Sequence, residues 1–306
     1  MKYSAKAPGT CGELVQGYLN GKDFLINSPI PFFAKASLTI KNSKHQIKVV
    51  ESNKYLKVNQ ILKKLLLHLK VEENISLEVD IDSKIPRGKG LASSTAELTA
   101  VVLAASSALN KEISDQEISN LLLSVDKSSD GVFLPGISHI NHLKGDIYRR
   151  YKDIPSLSFI IIDSGGEVST QEFDRDFARS IAIEHKYSIR RALLWIEEGF
   201  LNQNPKLIAQ AATLSARVNQ HVLYKAPLET LIDGIREVGG LGVNCAHTGT
   251  VLGVMFDHSQ TDKQKLLDRV YQLIHPLPII GIYPLIGGSR IYDEESEKTD
   301  SLKLKI

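Results

Sequence analysis

Cysteine is nearly absent: Cys11 and Cys245 are the only two in 306 residues. So few thiols exclude a disulfide framework or a cysteine-rich zinc site, and fit a reducing cytoplasm. Neither sign of charge is in excess, with 37 Lys and Arg against 35 Asp and Glu and a net charge of +2. That balance excludes a general nucleic-acid binder, which needs a clear basic surplus. The pairs Lys63-Lys64 and Arg190-Arg191 read as solvated helix faces. No apolar run approaches the ~18 residues of a membrane span. Met1 to Lys6 is not followed by the apolar stretch of a signal peptide. The expectations are therefore no membrane partner and a cytoplasmic location. The nine histidines are scattered, and His139 and His142 stand three apart with no carboxylate or third ligand nearby, which argues against a metal site there.

What is present is ordinary globular material, 42% hydrophobic and 24% charged. The length suggests about two domains. Phe24–Ile26, Phe32–Ile40 and Gln46–Val50 read as strands punctuated by Pro29, Pro31 and Asn42. Ile61–Leu69 reads as a helix. Ile75–Ile81 alternates as a half-buried strand, and Leu157–Ile162 is a continuous apolar run that reads as a buried one. Helical patterns cover Thr95–Leu109, Ser114–Val125, Asp174–Phe200, Pro205–His221, Pro227–Val238 and Lys263–Ile274. Val251–Phe256 and Ile279–Tyr283 read as late strands. Strand and helix alternate without a regular βαβ beat, so the expected fold class is α+β, with two domains, 1–153 and 154–306, meeting near Pro155.

One segment carries the most chemistry: Pro86-Arg87-Gly88-Lys89-Gly90-Leu91-Ala92-Ser93-Ser94-Thr95-Ala96. Two glycines allow sharp turns and close approach of backbone to a ligand. A helix start follows, whose free N–H groups and dipole both favour an anion. The same residues support a second reading. Ser94-Thr95-Ala96-Glu97 has the spacing of a capping box, which any helix can carry. The segment alone does not separate a phosphate cradle from a capped turn. It does exclude a Walker A loop, because Lys89 is followed by Gly90 rather than Ser or Thr.

Three separated segments together resemble the GHMP kinases. They are Ala7-Pro8-Gly9-Thr10-Cys11-Gly12-Glu13-Leu14 near the N-terminus, the Pro86–Ala96 loop, and Asn244-Cys245-Ala246-His247-Thr248-Gly249-Thr250 before a late strand. Within that superfamily the chain is similar to the L-threonine kinase branch of cobalamin synthesis. That likeness rests on Cys11–Gly17, Ala92–Ala96, Ala211-Ala212-Thr213-Leu214-Ser215-Ala216 and Asn244–Gly249. Ala246-His247-Thr248-Gly249 replaces the usual glycine-rich third motif, and Thr10 stands where many members have a basic residue.

The resemblance implies an N-terminal ribosomal protein S5 domain 2-like domain and a C-terminal ferredoxin-like domain, with ATP and Mg2+ between them. Backbone from Pro86, Arg87, Gly88, Lys89, Gly90, Leu91, Ala92, Ser93, Ser94 and Thr95 would cradle the phosphates, with Lys89 either adding charge or facing solvent. Ser94 would touch the metal or a phosphate oxygen, and Asp126 would hold the metal, unless it is a plain loop residue beyond a helix end. Asp130, in Ser129-Asp130-Gly131, would orient or deprotonate the substrate hydroxyl, unless it is a plain turn aspartate. For L-threonine, Glu13 with Gln16 would receive the ammonium, unless Glu13 is an exposed turn acid. His247 and Thr248, with their N–H groups, would receive a carboxylate or phosphate, and Arg290 would be a further anion contact. The alternatives are another small-alcohol kinase of the superfamily, of homoserine or mevalonate type, or a non-catalytic nucleotide binder on the same fold. The oligomeric state stays open, a homodimer included.

Overall fold

The computed structural model describes residues 2–42, 48–49, 56–71, 75–169 and 172–293. The chain opens with two long strands, β1 (Lys2–Leu19) and β2 (Lys22–Asn42). They are joined at Asn20-Gly21, where φ is 51° and 79°. Two positive φ values in a two-residue Asn-Gly turn match the twist of an antiparallel pair, which is why this dipeptide closes hairpins.

The prolines expected to interrupt the second strand do not. Pro8 pairs with Phe33 and Gly9 with Ile30, so Pro31 and Phe32 form a bulge. Pro29 faces Thr10, whose own N–H goes to the carbonyl of Leu91 at 3.1 Å. A second irregularity, between Thr10 and Glu13, puts Cys11 and Gly12 out of register. Gly12 has φ 57° and lies against the Cys245–Ala246 backbone, where a Cβ would not fit. Bulges re-aim side chains, and this one sets the direction of Glu13.

The next elements are β3 (Lys48–Val49), α1 (Leu56–His68), β4 (Ile75–Ser83), α2 (Ser93–Ala108), α3 (Asp115–Leu123), β5 (Ile137–Ile140) and β6 (Ile147–Tyr151). Of the strand expected over Gln46–Val50, Gln46, Ile47 and Val50 lie outside the described residues. The second half holds β7 (Leu157–Asp163), α4 (Arg175–Glu184), α5 (Lys186–Leu201), α6 (Pro205–Asn219), α7 (Leu228–Gly234) and a 3-10 turn over Arg236–Val238. It continues with β8 (Gly240–Cys245), β9 (Val251–Asp257), α8 (Lys263–Ile274), β10 (Ile279–Pro284) and β11 (Ile291–Asp293).

One sheet runs through the molecule in the order β10-β7-β9-β8-β1-β2-β4-β3, with β11 on β1, β5 on β2 and β6 on β5. Every pair is antiparallel except β3 with β4. The halves meet where Glu13 of β1 pairs with Cys245 of β8, and β11 returns to Ser4–Lys6. A division into two domains near residue 153 remains our proposal; Lys152–Ser156 carries no ladder, while the sheet continues past it.

Helix α2 is apolar nearly all round, and its small residues Ala96, Ala100, Ala104 and Ala105 let it pack closely on β1 and β2. Helix α6 packs on β8 and β1, with α5 against α6. The helix expected over Asp174–Phe200 is two helices. They part at His185, with φ −94° and ψ 21°, whose ring stacks on His221 at 4.5 Å. No glycine or proline marks this break, so tertiary packing sets it. Among the described residues no helix is long and apolar enough to cross a membrane.

Candidate active site

The glycine segment forms a tight loop ahead of α2. Gly88, Gly90 and Ala92 have φ of 70°, 83° and 57°. A Cβ on Gly90 would overlap that of Ala246, so only glycine fits there. Three strands of chain stitch the loop in place. The Val168 N–H donates to the Gly88 carbonyl at 3.0 Å, and the Thr250 and Val251 N–H groups donate to that of Lys89 at 2.9 and 3.1 Å. The Thr10 N–H reaches Leu91, as above. Gly249 packs on the Lys89–Gly90 backbone, again without room for a Cβ.

The capping box expected at Ser94–Glu97 is not formed. Helix α2 begins at Ser93, its N-cap is Ala92, and no side chain caps it. Both box residues have charged partners instead. Ser94 Oγ donates to Asp126 Oδ2 at 2.7 Å, and Arg87 donates to Glu97 at 2.6 Å. The first N–H groups of α2 therefore stay open to a ligand. The box spacing works at α3, where Ser114 and Glu117 cap reciprocally.

A cavity of about 890 Å3 opens in front of this helix end, between the glycine loop, β1, α4 and α6. That volume accommodates a nucleotide with a small second substrate. Arg87, Gly88, Gly90, Leu91, Ala92, Ser93, Ser94 and Thr95 line it, while Pro86 and Lys89 do not. Lys89 Nζ is drawn away to Asp163 at 2.7 Å and to the Gly166 carbonyl at 2.5 Å. Its expected placement beside the phosphates, or free in solvent, is replaced by an anchoring one. Asp163 also accepts from Thr250 Oγ1 at 2.7 Å, and these bonds hold its carboxyl below the ordinary range against the opposing effect of burial.

At the helix-start end of the cavity, Ser94 and Asp126 are joined by Lys57, whose Nζ lies 2.6 Å from Asp126 Oδ2 and 3.4 Å from Ser94 Oγ. A hydroxyl beside a single carboxylate at an uncapped helix start suits Mg2+, which keeps waters and phosphate oxygens as its other ligands. Among the described residues no group of three His, Cys, Asp or Glu forms a metal cage. Lys57 was not singled out from the sequence; a lone lysine opening a helix carries no signal of its own.

Deeper in, Asp130 accepts from Thr95 Oγ1 at 2.9 Å, and its carbonyl accepts from Asn27 Nδ2 at 2.9 Å. Burial, outweighing the Thr95 bond, raises its carboxyl above the ordinary value. Thr95 belongs to α2 and Asn27 to β2, so Asp130 is held from two elements rather than left as a free turn residue.

Glu13 is not an exposed turn acid. It lies in β1, lines the cavity, and accepts the His247 N–H at 2.7 Å. Burial, and then the Asp130 charge, push its carboxyl up to about 8. The His247 N–H is thereby engaged, so that group does not receive an incoming carboxylate as expected. Burial keeps the His247 ring neutral. Gln16 and Thr248 also line the cavity. Arg290 does not: it donates to the Ile113 carbonyl and pairs with Asp115 at the start of α3.

The sequence reading also missed the far wall. Arg179 of α4 makes a two-pronged bridge to Asp23, at 2.9 and 2.8 Å, across the cavity mouth. Its partners are 156 residues apart, beyond any local pattern.

Residues 57–134 match the family model described as the GHMP kinases N terminal domain. The L-threonine kinase of Citrobacter freundii is 27% identical over 260 residues, 84% of this chain and 88% of that protein. The L-threonine kinase of Salmonella typhimurium is 26% identical over 268 residues, 87% of each. Among solved structures, a homoserine kinase from Cytophaga hutchinsonii superposes with a TM-score of 0.74 at 14% identity, covering 95% of this chain and 97% of that one. A mevalonate kinase superposes with a TM-score of 0.67 at 16% identity, over 92% and 99%. These structures share the mixed α/β fold, and the matched segment spans α1, the glycine loop, α2 and Asp130. Residues 57–134 thus match the GHMP kinases N terminal domain, and the chain as a whole shares the fold of kinases of that superfamily.

Proposed function

We propose that this GHMP-family kinase transfers the γ-phosphoryl group of ATP to the side-chain hydroxyl of L-threonine, giving O-phospho-L-threonine and ADP for cobalamin biosynthesis. The observation that carries the reading is the shared cavity. An uncapped helix start with Ser94 and Asp126 lies at one end, and two acids with raised pKa, Asp130 and Glu13, lie deeper in.

Phosphoryl transfer is mainly positioning and charge neutralisation. The N–H groups of Ser93, Ser94 and Thr95 face the phosphates, and Arg87 stands at the rim. Mg2+, held by Ser94 and Asp126, would offset charge on the transferring group. Asp126 must then share or release Lys57, whose ammonium is already aimed at the same oxygen. The threonine oxygen attacks the γ-phosphorus as the bond to ADP breaks, and its proton passes to Asp130. A carboxylate with a raised pKa is the better acceptor for that proton.

Threonine rather than a neutral alcohol is favoured by Glu13. A carboxylate buried this deeply is costly unless a cation meets it, and an α-ammonium supplies one. The L-threonine kinase relatives, aligned over most of this chain, support the same choice. The test is ADP release coupled to a reporter, with threonine, serine, homoserine and mevalonate compared. Threonine should give the highest kcat/KM. Release with mevalonate alone would overturn the assignment.

A further inference from the structure

The Ala211–Ala216 segment carries part of the likeness to threonine kinases, yet no step above uses it. It lies on α6, and one face of that helix turns Ser215 and Asn219 toward the cavity. Ser215 Oγ accepts the Gln16 N–H at 3.2 Å, which fixes α6 to β1. One turn later, Asn219 Nδ2 donates to the Ala246 carbonyl at 3.3 Å and to Cys245 Sγ at 3.4 Å. Residue 247 then donates its N–H to Glu13, the β1 neighbour of Cys245. Glu13, Gln16, Ser215, Asn219 and the Cys245–His247 turn thus close a ring.

Two acceptors in this ring have no partner. Gln16 Oε1 and Asn219 Oδ1 are buried and bond to nothing, although their residues are only 7% and 4% exposed and both line the cavity. Buried polar groups are hydrogen-bonded in the great majority of cases, so each exception asks for an explanation. The amide of Asn219 is oriented by its two donated bonds, which leaves Oδ1 as its free end. Glu13 Oε2 holds the His247 N–H, and its other oxygen remains. The ring therefore offers three acceptor groups, one of them a carboxylate.

We infer that this ring is a binding site for an unsubstituted primary ammonium, with Asn219 and Gln16 as specificity-determining residues beside Glu13. A primary ammonium has three N–H donors and no acceptor, which matches three acceptor groups. A hydroxyl in its place brings one donor and leaves two buried acceptors unpaired. Sites built to pair with a substrate group reject analogues lacking it far more strongly than apolar pockets reject size differences. Ser215 is the positioning residue that keeps Gln16 in the ring.

The inference deepens the threonine reading and rests on it for the location of the substrate, so its test uses binding as well as turnover. Calorimetric affinities of the full chain, with a non-hydrolysable ATP analogue present, are compared for pairs differing only in amine against hydroxyl. The pairs are threonine with 2,3-dihydroxybutyrate, and ethanolamine with ethylene glycol. The amine should bind at least about tenfold more tightly in both, as expected for charge-assisted bonds. Asn219→Leu and Gln16→Leu should each weaken threonine about tenfold and shrink the amine preference, leaving the affinity for the ATP analogue unchanged. Unchanged analogue affinity also certifies that the variants fold. Equal affinity for amine and hydroxyl partners, or an intact preference in both folded variants, overturns the inference. An amine preference without threonine-dependent ADP release upholds the ring and removes the threonine kinase reading instead.

Discussion

Replacing Glu13 by Gln keeps the shape of the substrate end and removes its charge. The lost interaction is a charge-assisted hydrogen bond to the ammonium, worth about 1.5–3 kcal/mol, which is roughly a 10- to 150-fold rise in the threonine Kd. The pH dependence is more diagnostic than the size. In the free protein Glu13 is pushed up to about 8 by burial and by Asp130, with the Lys225 ammonium pulling the other way and His247 neutral. Below that pH the carboxyl holds a proton, and the ammonium must displace it. Threonine binding then releases up to one proton, and log Kd falls by up to about one per pH unit between about pH 6 and 8. The same linkage acts on stability. Because the folded pKa lies above the ordinary 4.5, the native state binds the extra proton between those values, and stability falls as pH rises through that window. Calorimetry at several pH values, in two buffers of different ionisation enthalpy, reads both Kd and proton release. A wild-type Kd that is flat across the window with no proton released, or an unaltered slope in Glu13→Gln, refutes the reasoning.

Asp130→Asn should lower kcat by about 10²–10⁴ while nucleotide affinity holds, as for loss of a general base; single-turnover kinetics with an independent nucleotide titration separate the two. Gly90→Ala forces a left-handed φ on alanine and a Cβ into Ala246. It should destabilise the fold by about 1–3 kcal/mol and weaken ATP, read by denaturant melts and nucleotide titration. Lys89→Met and Asp163→Asn remove the same anchor of the glycine loop, so each should weaken ATP and the double variant should cost little more than either. Additive effects in that cycle would place Lys89 on the phosphates instead.

How far the sequence reached depended on range. The glycine loop was legible because local geometry demands Gly88 and Gly90 ahead of a helix. The alternating strand at Ile75–Ser83 and helix α8 follow their periodicities directly. The capping box misled because its spacing is local, whereas Asp126 and Arg87, which claim Ser94 and Glu97, arrive through the tertiary fold. Lys57, Asp23 and Arg179 carry no local pattern at all. Strands β5, β6, β8 and β11 were overlooked for a related reason: they are three to six residues long, too short for a periodicity to show. The split of α4 from α5 has no breaker residue to announce it. Glu13 was picked out through its motif, but its burial beside Asp130 emerges only when β1 meets β8 and the Asp130 loop.

The central claim is that the cavity joins ATP to the hydroxyl of threonine. The most direct measurement is phosphorus NMR of the products formed from ATP, Mg2+ and L-threonine by the purified protein. The account predicts equal amounts of ADP and a phosphate monoester on the threonine hydroxyl, both lost in Asp130→Asn. ADP accompanied only by inorganic phosphate, or no turnover with threonine while another alcohol is phosphorylated, would contradict it.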